Sequence, residues 1–270
     1  MKLDLHTHTT YSDGDLDING NVEKAISLGL DGIAITDHDN VDSWSEIDEN
    51  HYPIKVIKGV ELSTYHKGQS VHVLGYYLND GGDYSELDEF LKKTRIDRIT
   101  RLDKMISLLK PFGFELTPEE IMSEADGAVA RPHVAKAILK KYPELNLTKD
   151  DIFDKYIGND APAYVPVNNF QLIDAIQLLK DNHCLVVIAH PGYINKFDYH
   201  ELAEFDIDGI EGFYDYGFDT DSFEDFGDSH NLLVTGGSDY HGPKTRDSMG
   251  CAYLEGDRAK TFLKRIHYEK

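Results

Sequence analysis

Histidine and carboxylate residues recur in short polar segments of this chain, and their types fit one chemistry. The segment DLHTHTTYSD puts His6 and His8 on alternate positions and follows them with Asp13. Strand side chains alternate between faces, so residues two apart point the same way and could grip one metal ion. Further along come ITDHD with Asp37, His38 and Asp39, GVELS with Glu61, and VHVLGYY with His72. IAHPG contributes His190, and GGSDYHG contributes Asp239 and His241. Mixed imidazole and carboxylate ligation suits manganese, iron or zinc without choosing among them.

Each segment alone has an ordinary reading. An HxH pair can be incidental on a half-buried strand, and TDHD can cap a helix. Glu61 could pair with a lysine, His72 could be a satisfied core histidine, and His190 could sit in a turn before Pro191. The joint pattern weighs against these readings. Several imidazoles and carboxylates at one end of successive strands would be costly to bury without a charge partner, and divalent cations supply one.

Such residues need a scaffold that makes them converge. KLDLHTH, DGIAITDH, IKVIKGVELS and SVHVLGYYL read as strands, with a helix at NVEKAISLGL between the first two. The alternation resumes with a helix near FQLIDAIQLLKDN, strand CLVVIAH, a short helix near DYHELAEF, strands DGIEGFY and NLLVTGGSD, and a closing helix RAKTFLKRIH. This argues for an α/β fold with mostly parallel strands, whose C-terminal ends meet at one mouth when the sheet closes. Between them lie helical patterns over SELDEFLKKTRIDRITRLDKMISLLK, TPEEIMSEAD and RPHVAKAILKKY, and near DDIFDKYIG. Thr117, Pro118 and Glu120 make a helix N-terminal signature of cap, first-turn proline and third-position glutamate. The expected organisation is a barrel from residues 1–80 and 165–270, with a helical insertion at 81–164 sitting over the active site.

Composition narrows the partners. The 270 residues, 28% of them charged, suffice for one large barrel or two modest domains, and the longest apolar run, CLVVIA, is far short of a membrane span. MKLDLHTH has no hydrophobic signal region, and Cys184 and Cys251 form no disulfide framework, so a reduced cytoplasmic location is expected. A net charge of −22 weighs against a long nucleic-acid duplex as partner. It is compatible with a small phosphate ester, because bound divalent metals reverse the local field. No lysine or arginine occurs from Phe205 to Asp228, a run that reads mostly as solvated acidic loop.

HTHTTYSDG, ITDHD, GVELS, His72, IAHPG and GGSDYHG, in that order and spacing, resemble the PHP (polymerase and histidinol phosphatase) metal-dependent phosphoesterases. The resemblance covers nearly the whole chain. RPHVAKAI and AYVP are similar to a bacterial branch containing nucleotide phosphatases and a 5′→3′ exoribonuclease. The resemblance implies a distorted, TIM-like (β/α)7 barrel with two to three divalent ions at its mouth. One ion would take His6, His8, Glu61 and Asp239, a second Glu61, His72 and His190, and a third Asp13, His38 and His241. Some members carry a histidine where this chain has Asp13, which adds negative charge at that position. The implied nucleophile is a hydroxide bridging two ions, available because metal binding lowers the pKa of water. His190 and His133 are candidate proton donors to the leaving group. Arg131 and His133 are candidate substrate-binding residues, the guanidinium acting as a fork on a phosphate.

The same resemblance implies a nucleotide substrate: a nucleoside 3′,5′-bisphosphate, a nucleoside monophosphate or a short 5′-phosphorylated oligoribonucleotide. Tyr11, Tyr65, Tyr164 and Phe213 could stack on a base. Arg95, Arg98 and Arg101 recur at helical spacing, and Lys244 and Arg246 follow SDYHG closely enough to attend a phosphate. The alternative is a histidinol-phosphate or other small-molecule phosphatase using the same metals. An amidohydrolase would be expected to show a carboxylated lysine or a four-histidine set, which the chain lacks. A non-catalytic, metal-stabilised interaction module is the remaining reading.

Overall fold

The computed structural model describes residues 1–48, 51–124, 131–158, 161–165, 170–215, 217, 220–244 and 246–268. Strand β1 (Lys2–Thr7), helix α1 (Ile18–Ser27), then β2 (Gly32–Ile35), β3 (Lys55–His66) and β4 (Gln69–Tyr77) open the chain. Four helices follow: α2 (Ser85–Leu109), α3 (Pro118–Met122), α4 (Arg131–Lys141) and α5 (Lys149–Ile152). The remainder is α6 (Leu172–Asp181), β5 (Cys184–Ile188), β6 (Gly209–Phe213), α7 (Asp221–Ser229), β7 (Leu233–Gly236), β8 (Leu254–Glu255) and α8 (Gly256–Arg265). The segment Tyr199–Glu204 is a 3₁₀ helix.

These elements divide into two compact units, residues 1–91 with 169–270, and residues 92–168. The division falls inside α2, at other residues than the expected 81–164. The reason is visible in the packing: Leu87 and Leu91 on the first turns of α2 are buried in the same cluster as Leu172, Ile176 and Leu179 of α6.

The first unit is a nearly closed barrel. Its sheet runs β7-β6-β5-β4-β3-β2-β1-β8. After β7 the chain returns to β1 through a parallel bridge between Thr7 and Tyr240, with His8 N–H donating to the Tyr240 carbonyl at 2.8 Å. Seven strands thus form the wall, and two-residue β8 pairs antiparallel with the start of β1. Close approach at the seam requires Gly237, where a Cβ would lie 2.3 Å from His6 Cβ and 2.6 Å from His6 N. Helix α1 lays Ile18, Val22 and Ala25 against the sheet, and α6 does the same with Leu172, Ala175, Ile176 and Leu179.

Within the seven-strand wall, one strand departs from the expected parallel order. β4 runs antiparallel to both β3 and β5. Lys67 and Gly68, both with positive φ (45° and 82°), link β3 to β4 in a two-residue hairpin turn. The chain therefore reverses without a crossover helix.

The acidic run holds more structure than the expected strand, which forms as β6. It also contains all but the last residue of α7, whose Phe223 and Phe226 are buried. Arg258 on α8 donates to both carboxylate oxygens of Asp228 (3.0 and 2.8 Å), answering part of that charge.

The second unit has its own core, in which Leu102, Ile106 and Leu109 of α2 meet Phe114, Ile121, Val134, Ile138, Ile152 and Ile157. The capping box at α3 forms as its sequence reads: Glu120 N–H donates to Thr117 Oγ1 (3.2 Å), and Thr117 N–H donates to the Glu120 carboxylate (2.9 Å). Residues 125 and 126 of the expected TPEEIMSEAD helix lie outside the described residues. Among the described residues, no helix is long and apolar enough to cross a membrane.

Candidate metal centre

Glu61 sits in the middle of β3, fully buried, with imidazoles on both of its oxygens. Its Oε1 lies 2.8 Å from His72 Nδ1 and 3.0 Å from His190 Nε2. Its Oε2 lies 3.0 Å from His38 Nδ1, 3.2 Å from His6 Nε2 and 3.3 Å from His8 Nε2. Asp239 Oδ1 is 3.2 Å from His8 Nε2 and 3.5 Å from His6 Nε2. Asp13 Oδ2 is 3.1 Å from His241 Nε2 and 3.8 Å from His38 Nε2. The residues expected as ligands, His6, His8, Asp13, His38, Glu61, His72, His190, Asp239 and His241, thus converge on one place.

Strand direction explains the convergence. His6 and His8 leave the C-terminal end of β1, His38 follows β2, His190 follows β5, and Asp239 and His241 follow β7. His72 reaches the same mouth from near the start of β4, because that strand runs backwards; it pairs with Ser63 of β3. Among the described residues, three groups have ligand atoms all within 4.8 Å of one another: His6, His8, Glu61 and Asp239; His8, Asp13, His38 and His241; and His38, Glu61 and His72.

The donor set tests whether cations fit. His6 Nε2, both ring nitrogens of His8, His38 Nδ1, Glu61 Oε2 and both oxygens of Asp13 are buried without a hydrogen-bond partner. Buried polar atoms are almost always partnered, so a convergent group of orphans calls for an ion. The charges of the group act strongly on one another. Burial would raise the Glu61 pKa, yet His38, His6 and His72 hold it well below the carboxylate range. Burial opposes charge on His8, but Asp239 and Glu61 hold its pKa up at about 10. His38 is pushed down to about 4 by burial, against the pull of Glu61.

A model of the PHP domain matches residues 4–199, from just before His6 to just past His190. The chain belongs to the PHP-domain family. It is 26% identical over 253 residues to the phosphoribosyl 1,2-cyclic phosphate 1,2-diphosphodiesterase of Eggerthella lenta, covering 90% of this chain and 95% of that one. It is 30% identical to the 5′-3′ exoribonuclease of Escherichia coli, over 71% of this chain and 66% of that one. It is 27% identical to the 3′,5′-nucleoside bisphosphate phosphatase of Chromobacterium violaceum, over 89% and 87%. Among solved structures, a Bifidobacterium adolescentis protein assigned as a metal-dependent phosphoesterase superposes with a TM-score of 0.74 at 26% identity, over 97% of this chain and 96% of that one.

Several further residues hold this PHP centre in shape. Glu211 on β6 is fully buried and accepts from His6 Nδ1 at 3.1 Å and from the His190 backbone N–H at 2.8 Å. It lies within the acidic run, in a strand whose alternation points it inward. Asp37 accepts from Thr9 N–H (2.8 Å), Thr9 Oγ1 (2.8 Å) and Ser12 Oγ (2.7 Å), fixing the loop that carries Asp13. Asp239 takes its position from the other side: Tyr214 OH and Arg246 Nη1 both donate to Oδ2 at 2.8 Å, leaving Oδ1 facing His6 and His8. His190 and Asp239 are non-glycine residues with positive φ (26° and 53°), a backbone cost that such contacts offset.

Arg131 and His133 belong to the second unit. Arg131 Nη1 donates to the Ile157 carbonyl at 3.3 Å, and its guanidinium lies 5.2 Å from the Tyr164 ring centroid. Arg101 Nε donates to the Val165 carbonyl at 2.9 Å. Of the aromatic residues read as base-stacking candidates, Phe213 packs against the barrel core and Tyr11 donates its hydroxyl to Glu46.

Proposed function

We propose that this PHP-domain chain hydrolyses phosphate esters of nucleotides, using two to three divalent ions held by the residues above. Phosphoester hydrolysis is common to the three curated relatives named above, and this chain is a hydrolase of that class. The observation that carries the proposal is the convergence of orphaned ring nitrogens and carboxylate oxygens on Glu61 at the barrel mouth. His6, His8, Glu61 and Asp239 would hold one ion, Glu61, His72 and His190 a second, and Asp13, His38 and His241 a third. Bound there, divalent ions supply a water of near-neutral pKa and offset charge on the phosphoryl oxygens.

The chain's own residues do the rest. Tyr214 and Arg246 aim one oxygen of Asp239 into the site, and Glu211 fixes the ring of His6. His190 Nε2 faces Glu61, which favours a ligand role; His133 is then the proposed proton donor to the leaving group, and Arg131 the proposed phosphate contact. Nucleoside bisphosphates, monophosphates and short 5′-phosphorylated oligoribonucleotides are the proposed substrates. A ribose cyclic phosphate is the second reading, favoured by the near end-to-end match with the cyclic phosphodiesterase.

The test is analysis of the products, free phosphate, released nucleotide or ring-opened monoester, formed by the Mn²⁺-loaded protein from adenosine 3′,5′-bisphosphate, AMP, a 5′-phosphorylated RNA trimer, histidinol phosphate and a ribose 1,2-cyclic phosphate. Turnover of a nucleotide, lost in His8→Ala, is the expected result. Preference for histidinol phosphate or for the cyclic ribose would overturn the nucleotide assignment.

A further inference from the structure

Tyr193, at the rim of the centre, is assigned no role by the reading above. Its neighbours in the fold single it out. The ring sits 5.4 Å from that of His190 and 6.0 Å from that of Tyr214, edge-on to both. It is nonetheless 53% exposed, so an aromatic surface remains open to solvent beside a side chain that faces Glu61 at 3.0 Å. Burial of an aromatic ring is normally a large gain, and this position forgoes half of it.

The backbone under the ring is fixed. Tyr193 N–H donates to the His190 carbonyl at 3.2 Å within a 3₁₀ turn, and the Tyr193 carbonyl accepts from Gln69 Nε2 at 2.6 Å. Gln69 Oε1 accepts in turn from the N–H groups of Asn195 (3.0 Å) and Lys196 (2.9 Å). One side chain from the start of β4 therefore ties down the segment that follows the ring. A rigid aromatic surface binds a flat partner at a small ordering cost.

We infer that Tyr193 is the stacking platform for the nucleobase of the substrate, and so selects nucleotides over phosphate esters that lack a base. The inference rests on the nucleotide reading given above. A phosphate at the Glu61 cluster places its nucleoside at the mouth, where the half-exposed ring of Tyr193 lies beside His190. Stacking engages any base, so the platform confers a class preference rather than a sequence preference.

The experiment compares wild type, Tyr193→Ala and Tyr193→Phe, all loaded with Mn²⁺, on AMP and on ribose 5-phosphate. Tyr193→Ala is expected to raise KM for AMP about tenfold while KM for ribose 5-phosphate stays put; Tyr193→Phe, which keeps the ring, is expected to keep the wild-type preference for AMP over ribose 5-phosphate. Saturation-transfer NMR with adenosine supplies a readout independent of turnover, and its base-proton signal is expected to vanish only in the alanine variant. Equal effects on the two esters, or an unchanged KM for AMP, would overturn the platform while leaving the nucleotide reading intact. If wild type hydrolyses no nucleotide at all, that reading falls first and the platform falls with it.

Discussion

His6 and Glu211 face each other at 3.1 Å, ring nitrogen to carboxylate oxygen, with neither side chain exposed to solvent. The carboxylate makes Nδ1 the protonated nitrogen and leaves Nε2 directed at Glu61 and Asp239. The same carboxylate holds the backbone of His190. One acid from β6 thus orients two expected ligands from β1 and from the end of β5.

Replacing Glu211 by glutamine is expected to weaken metal affinity about tenfold, and replacement by alanine about a hundredfold. Metal content after dialysis against graded chelator, read by mass spectrometry, checks this. Wild-type metal retention in Glu211→Ala would remove Glu211 from the centre.

Metal removal is expected to lower thermal stability. A ligand held at a hundred times its dissociation constant stabilises the folded state by about 2.7 kcal/mol. Mn²⁺ added to the stripped protein should therefore raise Tm by several degrees. In Glu61→Ala, which deletes the carboxylate reached by His6, His8, His38, His72 and His190, most of that rise should disappear. A rise of equal size in the variant would refute the role given to Glu61.

Gly237→Ala tests the barrel seam. The added methyl would meet the backbone and Cβ of His6 at 2.3–2.6 Å, and backbone cannot swing aside as a flexible side chain can. The expected cost is about 1–3 kcal/mol, the range for overpacking, with loss of metal retention beyond the loss of stability. Urea melts followed by the emission of Trp44, buried with its indole N–H donating to the Gly59 carbonyl, measure the first. Unaltered metal retention would show that β1 tolerates displacement.

The two thiols should separate by pH. Cys184 is buried, which pushes its thiol far up, whereas Cys251 is exposed and free. Partial burial, with Asp4 and Asp215 nearby, also raises the Cys251 pKa from the usual thiol value. The thiolate is the reactive form, so alkylation of Cys251 should be slower than that of a free cysteine at pH 8 and should accelerate as the pH rises. Cys184 should react only after unfolding. Mass spectrometry after iodoacetamide pulses at each pH gives both rates, and prompt native labelling of Cys184 would contradict the packing of β5.

Much of the centre was legible because ligand chemistry is carried by residue type. His6 and His8 at strand spacing, the TDHD and SDYH segments, and Glu61, His72 and His190 each ending or interrupting an apolar run declare themselves locally. So does the capping box at Thr117. The strand and helix periods, too, are properties of short windows.

What only the folded chain decided depends on partners distant in sequence. The reversal of β4 turns on two residues, Lys67 and Gly68, and it changes which end of that strand meets the mouth. Glu211 looked like one more acid in an acidic run until β6 placed it beside His6 across 205 positions. Helix α7 emerged from the same run because Phe223 and Phe226 found a core and Arg258 answered Asp228. Sequence fixes what each side chain can bind; whether it is buried, and against what charge, is set by the strands that close around it.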